Sequence, residues 1–377
     1  MKRKWLVIGI LFLFIGTSII PAIAQNTEKT LIRGNWLYVG GSGSGNYSTI
    51  QEAINDSSDG DTIYVFGGTY HEAITINVMN LNIIGEGRDV TNIDVNWTDT
   101  AVTIEKSFVT LRGFTILGTE YGIYVRKDLF EITISDNNIS RNDYGVEVEH
   151  DCENYQIVLE NNIFSSNDCG IYLVSWSKIP LNIIRNNTFI NNDDGIIVGG
   201  NEINKIMNNV FLHCDYTALY IFGESTYVID NVFRENSCGL LVSGANHTIT
   251  GNIFIGNHLG QTVGPYTDSS GNRITGNHFE NNSLGLRIAG SKNSVNTNNF
   301  IQNEKHAKFA ERTRSHGNNW DTNYWSGALH LFGFAFIFGK VQTSIKKLVQ
   351  FDPYSTFYYW IPWINFDRDP AAEPYDI

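Results

Sequence analysis

The chain repeats itself, and the repeat leaves it very few folds to adopt. Aliphatic residues are followed three positions later by Asn137, Asn162, Asn187, Asn209, Asn231, Asn252, Asn277 and Asn298, spaced 21 to 25 residues apart. Two positions after each stands Ile139, Phe164, Phe189, Phe211, Phe233, Phe254, Phe279 or Phe300. Five after each is Asn again, with Cys214 the exception. Eight after, in the first seven copies, is Gly, or Thr217 in the fourth, and then an aliphatic pair such as Val146 and Val148. The consensus is I-x-x-N-x-F-x-x-N-x-x-G-I-x-V, eight copies in register.

The physical meaning follows from the periods. N-x-F and I-x-V alternate with period two, which is strand patterning, and each run is only three to five residues long. So short a unit cannot bury its own apolar face, but it can bury it against a copy stacked about 4.8 Å away in parallel pairing. Phe and Ile/Val then form internal columns. Asn at the bends is expected to take the left-handed conformation and to form a side-chain ladder along the stack. A leucine-rich repeat shares the period, but this repeat lacks L-x-x-L-x-L and leaves no room for a helix. The expected fold is all-β: a single-stranded right-handed parallel β-helix of about eleven coils, roughly 50 Å long at strand spacing.

Composition agrees. The 43 Asn outnumber the 39 Asp and Glu together, and the ladder accounts for them without invoking chemistry. A net charge of −13 excludes a nucleic-acid binder, which needs clustered Lys and Arg. Residues 1–24 read as a signal peptide: Lys2, Arg3 and Lys4 precede an apolar run, and Ala22-Ile23-Ala24 supplies a small-x-small cleavage pattern. An uncleaved N-terminal anchor is the alternative. The expected product is a monomer, secreted or held at the cell surface.

Both ends depart from the repeat, as terminal units of a stack must. Residues 25–60 are expected to form an N-terminal cap, in which Thr49-Ile50-Gln51-Glu52 has capping-box spacing and opens a short helix burying Ile50, Ala53 and Ile54. The β-helix itself is assigned to 61–309. An aromatic-rich C-terminal cap occupies 310–377, where Trp320, Tyr324, Trp325, Tyr358, Tyr359, Trp360 and Trp363 would lid the open end. Its apolar run 328–338 is too short to span a bilayer and reads as cap core, with membrane contact or a partner surface as the alternative.

These residues resemble a known family. The opening segment from Gly43 to Ile54, with Gly60-Asp61-Thr62-Ile63-Tyr64-Val65 and Gly68-Thr69-Tyr70-His71-Glu72, resembles that of pectin-lyase-like right-handed β-helices. The N-x-F repeats resemble the NosD-like, carbohydrate-binding and sugar-hydrolase subset. The ending, Asn319-Trp320-Asp321-Thr322-Asn323-Tyr324-Trp325 with Pro362-Trp363-Ile364-Asn365-Phe366-Asp367 and Pro374-Tyr375-Asp376-Ile377, is similar to exported archaeal β-helix proteins. The resemblance implies the fold but no single activity, because such scaffolds carry lyases, hydrolases, esterases, epimerases and plain binders.

An offset from the reference Asn states the column a residue occupies, so any proposed cluster can be tested. The NosD resemblance implies copper, yet no two of His278, His213, His258, His306, His150 and His247 share a column. Met is limited to Met79 and Met207 beyond the initiator, so a soft or imidazole copper site is not supported. Cys169, Cys214 and Cys238 are expected as free buried thiols. Offset six stacks Asp143, Asp168, Asp193 and Asp215 in four consecutive coils. Their mutual repulsion is relieved either by solvent or by a bound hard cation, with Ca²⁺ the candidate. Offset ten places Tyr124 (counting its coil from Phe114), Glu147 and Tyr172 side by side, and offset twelve places Arg126 beside Glu149. All point outward, and Trp176 on the following loop extends the set. Aromatic faces flanked by charge suit a polysaccharide chain running along the stack. The expected function is therefore a non-catalytic polysaccharide-binding or structural protein requiring no cofactor. A polysaccharide lyase or glycoside hydrolase is the first alternative, and a NosD-like metal-delivery component the second.

Overall fold

The computed structural model describes residues 34–96, 100–150, 155–174, 181–200, 203–264, 269–311, 317–327, 330–331, 334–346, 356–367 and 369–377. Residues 1–24, read above as a signal peptide, and Trp176 lie outside them. Residues 34–377 form one unit, built as a parallel solenoid with sheets of 13, 12 and 14 strands. Each coil gives one strand to each sheet, as in Ile132–Ser135, Asn138–Ser140 and Tyr144–Val148. Each strand pairs in parallel register with its equivalent one coil away, for example Ile139↔Phe164 and Phe189↔Phe211. The all-β parallel β-helix is thus what the repeat dictated.

The internal columns explain why the register holds. Phe164, Phe189, Phe211, Phe233, Phe254, Phe279 and Phe300 are fully buried. Their rings stack at 4.7–4.9 Å with planes within 9° of parallel. That spacing is the strand repeat, so ring stacking and backbone pairing are satisfied together. Trp325 continues the column, 4.3 Å from Phe300.

The Asn ladder is equally regular. The side-chain oxygen of Asn162 accepts from both the backbone N–H and the amide of Asn137, at 3.0 and 3.2 Å. The same pair of bonds links Asn162 to Asn187, Asn209 to Asn231 and Asn277 to Asn298. Each remaining amide proton goes to a backbone carbonyl, as from Asn162 to Ile134 at 2.8 Å. The offset-five Asn residues form a second ladder of identical logic. One expectation is corrected here. The left-handed residue is the one before each ladder Asn, namely Asp136, Asn161, Asn186, Asn208, Asp230, Gly251, Gly276 and Thr297. That residue turns the corner, which leaves the Asn free to point along the stack.

The repeat glycine has a different cause. A Cβ on Gly170 would lie 2.6 Å from the carbonyl oxygen of Gly195, so close approach between coils demands it. In the fourth coil this slot belongs to Ala218 and not to Thr217. Thr217 pairs with Asp194, and the preceding Tyr216 is an exposed extra residue bulged from the corner.

The ends are closed as follows. Helix α1 (Ile50–Asp56) buries Ile50, Ala53 and Ile54, and Thr49 caps it by accepting from Glu52 N. The Glu72 carboxylate accepts from the first helical N–H groups, at 2.7 and 3.0 Å. In the third sheet, five strands matter below: β1 (Thr100–Ile104), β2 (Tyr121–Val125), β3 (Tyr144–Val148), β4 (Cys169–Val174) and β5 (Asp194–Gly200). At its far end a hairpin of β6 (Phe334–Lys346) and β7 (Thr356–Asp367) pairs antiparallel over twelve positions. The apolar run is therefore partly strand β6, which joins the preceding coil through Phe309↔Gly339. Among the described residues no helix is long and apolar enough to cross a membrane.

Candidate functional site

The outward face of strands β2, β3 and β4 gathers most of the chemistry. Val146 and Val148 face the core, so Glu147 between them points away from it. Register places Tyr124 opposite Glu147 and Glu147 opposite Tyr172. The row continues through Ile197, Tyr220, Leu241 and Thr262 to Arg287 and Lys308.

Glu147 faces outward but only 4% of it is exposed. Its cover is aromatic. Tyr121 and Tyr144, which start β2 and β3, stack at 5.6 Å. Tyr144 meets Tyr172 edge-on at 5.7 Å, and Tyr172 meets His150 at 5.6 Å. Tyr124 packs against Tyr121 at 5.3 Å. The Oε1 atom of Glu147 lies 3.1 Å from His150 Nε2, while Oε2 has no hydrogen-bond partner among the described residues. Burial raises the Glu147 pKa above the usual carboxylate range; His150 opposes that rise and Glu120 adds to it. Burial also raises Tyr144 and Tyr172, with Glu147 contributing in both cases. Tyr121 is pushed up to about 12 by burial and by its bond to Glu120.

Arg126 sits at the rim. Its guanidinium lies 3.8 Å from Glu149 and 3.9 Å from Glu105 and rests 5.4 Å from the Tyr124 ring centroid. It is half exposed, so these pairs contribute little stability but hold the cation beside the aromatic row. The structure thus brings Tyr124, Arg126, Glu147, Glu149 and Tyr172 together. Sequence reasoning missed Tyr121, Tyr144 and His150. Tyr121 and Tyr144 share the column just before the repeat glycine, so an offset search would have found them.

The acidic column also stands as a column. Asp168, Asp193 and Asp215 each donate a backbone N–H to the ladder residue one coil back. Burial, then the charges of Asp168 and Asp215, raises the Asp193 pKa. Asp143, Asp168 and Asp215 are exposed and Asp193 half-buried. Among the described residues, no three His, Cys, Asp or Glu side chains converge as a metal ion requires.

The profile of the family described as periplasmic copper-binding protein (NosD) matches residues 54–227, 131–263 and 228–330. Over 143 residues the chain is 32% identical to a cell surface glycoprotein of Methanothermus fervidus, covering 36% of this chain and 21% of that protein. Over 105 residues it is 31% identical to probable pectinesterase 56 of Arabidopsis thaliana, covering 25% and 36%. The chain thus spans a fifth to about a third of these curated relatives. Among solved structures, the A-module of mannuronan C-5 epimerase AlgE6 of Azotobacter vinelandii superposes with a TM-score of 0.58 at 16% identity, covering 72% of this chain and 86% of that one. XylC in complex with xylose superposes with a TM-score of 0.50 at 11% identity, covering 78% of each chain. Such identities carry the fold alone.

The family description names copper, and the described residues do not fit a resident copper ion. The histidines are dispersed: His213 faces Glu235, His278 faces Glu280, and His306 meets the Ser326 carbonyl. The thiols of Cys169, Cys214 and Cys238 are buried and free, and burial raises the pKa of each. Matched by the family profile from residue 54 to residue 330 of 377, and folded as a pectin-lyase-like parallel β-helix, the chain belongs to the NosD family.

Proposed function

We propose that this is a cell-surface protein that binds polysaccharide on the outward face of strands β2 to β4 without cleaving it. One observation carries the reading: four tyrosine rings and His150 surround a buried outward carboxylate on an otherwise flat sheet. Sugar rings present apolar C–H faces to aromatic rings and hydroxyls to acceptors, and this face offers both. The surface location is supported by the cell surface glycoprotein relative and by the periplasmic description of the family. A second reading, a polysaccharide lyase or hydrolase, is favoured by the raised Glu147 pKa beside His150, the state a general acid or base needs.

A polysaccharide array scored for both retention and release of new sugar ends separates the two. Retention without release is expected, with Tyr144→Ala and Tyr172→Ala each weakening retention at least tenfold. Sugar release that disappears in Glu147→Gln would replace the binding reading with the catalytic one.

A further inference from the structure

Resting on the polysaccharide reading above, the geometry points to a narrower ligand class: we propose that the face takes an amine-bearing sugar chain, with a protonated amine reaching Glu147 Oε2 as the covering rings of Tyr121, Tyr144 and Tyr172 turn aside to flank it.

The argument begins with the unpartnered atom. Glu147 is more than nine-tenths buried, and among the described residues its Oε2 atom has no hydrogen-bond partner. A carboxylate oxygen held so is costly until a donor meets it, and a charged donor meets it best. Arg126 is engaged elsewhere, since it lies between Glu105 and Glu149. The next cations of the same row, Arg287 and Lys308, stand five and six coils beyond Tyr172. The charges that act on Glu147 are those of Glu120 and His150, and a uronate carboxylate placed over Glu147 would meet like charge.

The rings narrow the class of cation. A hard cation such as Ca²⁺ needs six to eight oxygen ligands, and the walls here are tyrosine rings. Stacked and edge-on rings around a carboxylate attract an ammonium through the ring quadrupole, as aromatic cages do. Arg126 over Tyr124 already shows that cation-on-ring contact at the rim. An amine on a sugar adds apolar C–H faces for the flanking Tyr124 and Tyr172.

The test compares two chains that differ only in the amine: oligomers of glucosamine and of N-acetylglucosamine of equal length, titrated calorimetrically against the full-length protein. The wild type is expected to bind the glucosamine oligomer at least tenfold more tightly, with added NaCl weakening that form alone. Glu147→Gln is expected to abolish the preference. It should also raise the melting temperature at neutral pH, since it removes a buried charge, so loss of binding cannot be ascribed to misfolding. Tyr144→Ala is expected to weaken both oligomers alike. Equal wild-type affinities for the two oligomers, or a preference that survives Glu147→Gln, overturn the amine assignment and leave the polysaccharide site standing. Failure to bind either oligomer and every other polysaccharide on the array overturns the site itself.

Discussion

At the scale of single residues, the corners carry the specificity of this fold. There is a third ladder, running through Asn272, Asn293 and Asn318, five positions before Asn277, Asn298 and Asn323. His247 occupies one of its slots: Nδ1 accepts from Thr226 N at 3.1 Å, and Nε2 lies 3.3 Å from the Ser243 carbonyl. That network assigns the proton to Nε2. Protonating Nδ1 would set it against an N–H donor, and burial lowers the His247 pKa to about 4. The folded state therefore binds fewer protons than the unfolded chain between about pH 6.5 and about pH 4, so stability falls as pH drops through that window. His247→Asn restores the ladder residue and removes the titration. Thermal unfolding of the variant is expected to show a flatter acid limb than the wild type, by up to about 3 kcal/mol at pH 4. Parallel curves for the two proteins would refute the assignment. The ladder was hidden in the sequence because Thr226 and His247 interrupt its Asn series.

At the scale of elements, the phenylalanine column and the strand ladders share one repeat distance. Phe233 contacts a ring on each side, at 4.8 and 4.7 Å. Phe233→Ala is expected to cost about 3–5 kcal/mol in denaturant unfolding, through lost burial and the void left between two rigid neighbours. Tyr216→Ser, at the exposed bulge, should stay within about 0.5 kcal/mol. Comparable losses at both sites would mean that the column is not what holds the coils. The first ladder ends in a similarly specific way. Asp367, fully buried at the end of β7, accepts through Oδ2 from Asn323 N, Asn323 Nδ2 and Trp325 Nε1 at 2.9–3.0 Å. An aspartate suits the last rung, since it accepts as the next asparagine would and needs no further acceptor.

At the scale of the whole molecule, a stack of coils converts sequence offset into position on a surface, so columns of like charge become long-range features. Asp143, Asp168, Asp193 and Asp215 form such a column, and the Ca²⁺ expectation for it is open to a direct measurement. If the column holds calcium, the melting temperature after EDTA treatment rises on adding Ca²⁺ and the increment is lost in Asp168→Asn/Asp193→Asn. An unchanged melting temperature removes calcium from the account and leaves four solvated turn residues.

Fold and site were not equally legible. The path of each coil, its register outside the Tyr216 bulge, two ladders, the Phe column and the alignment of Tyr124, Glu147 and Tyr172 follow from offsets, because parallel in-register pairing preserves offset between neighbouring coils. The sequence by itself determined those. Only the tertiary structure decided that outward Glu147 is buried. Rings from three strands and His150 must bend over it, and offset says which way a side chain starts without saying where its end comes to rest. It likewise decided that Asp367 closes a ladder ending at Asn323, because the chain returns there only through a long hairpin. Contacts between neighbouring coils are local in the repeat and can be read from it; contacts that depend on long side chains or on a returning chain are not.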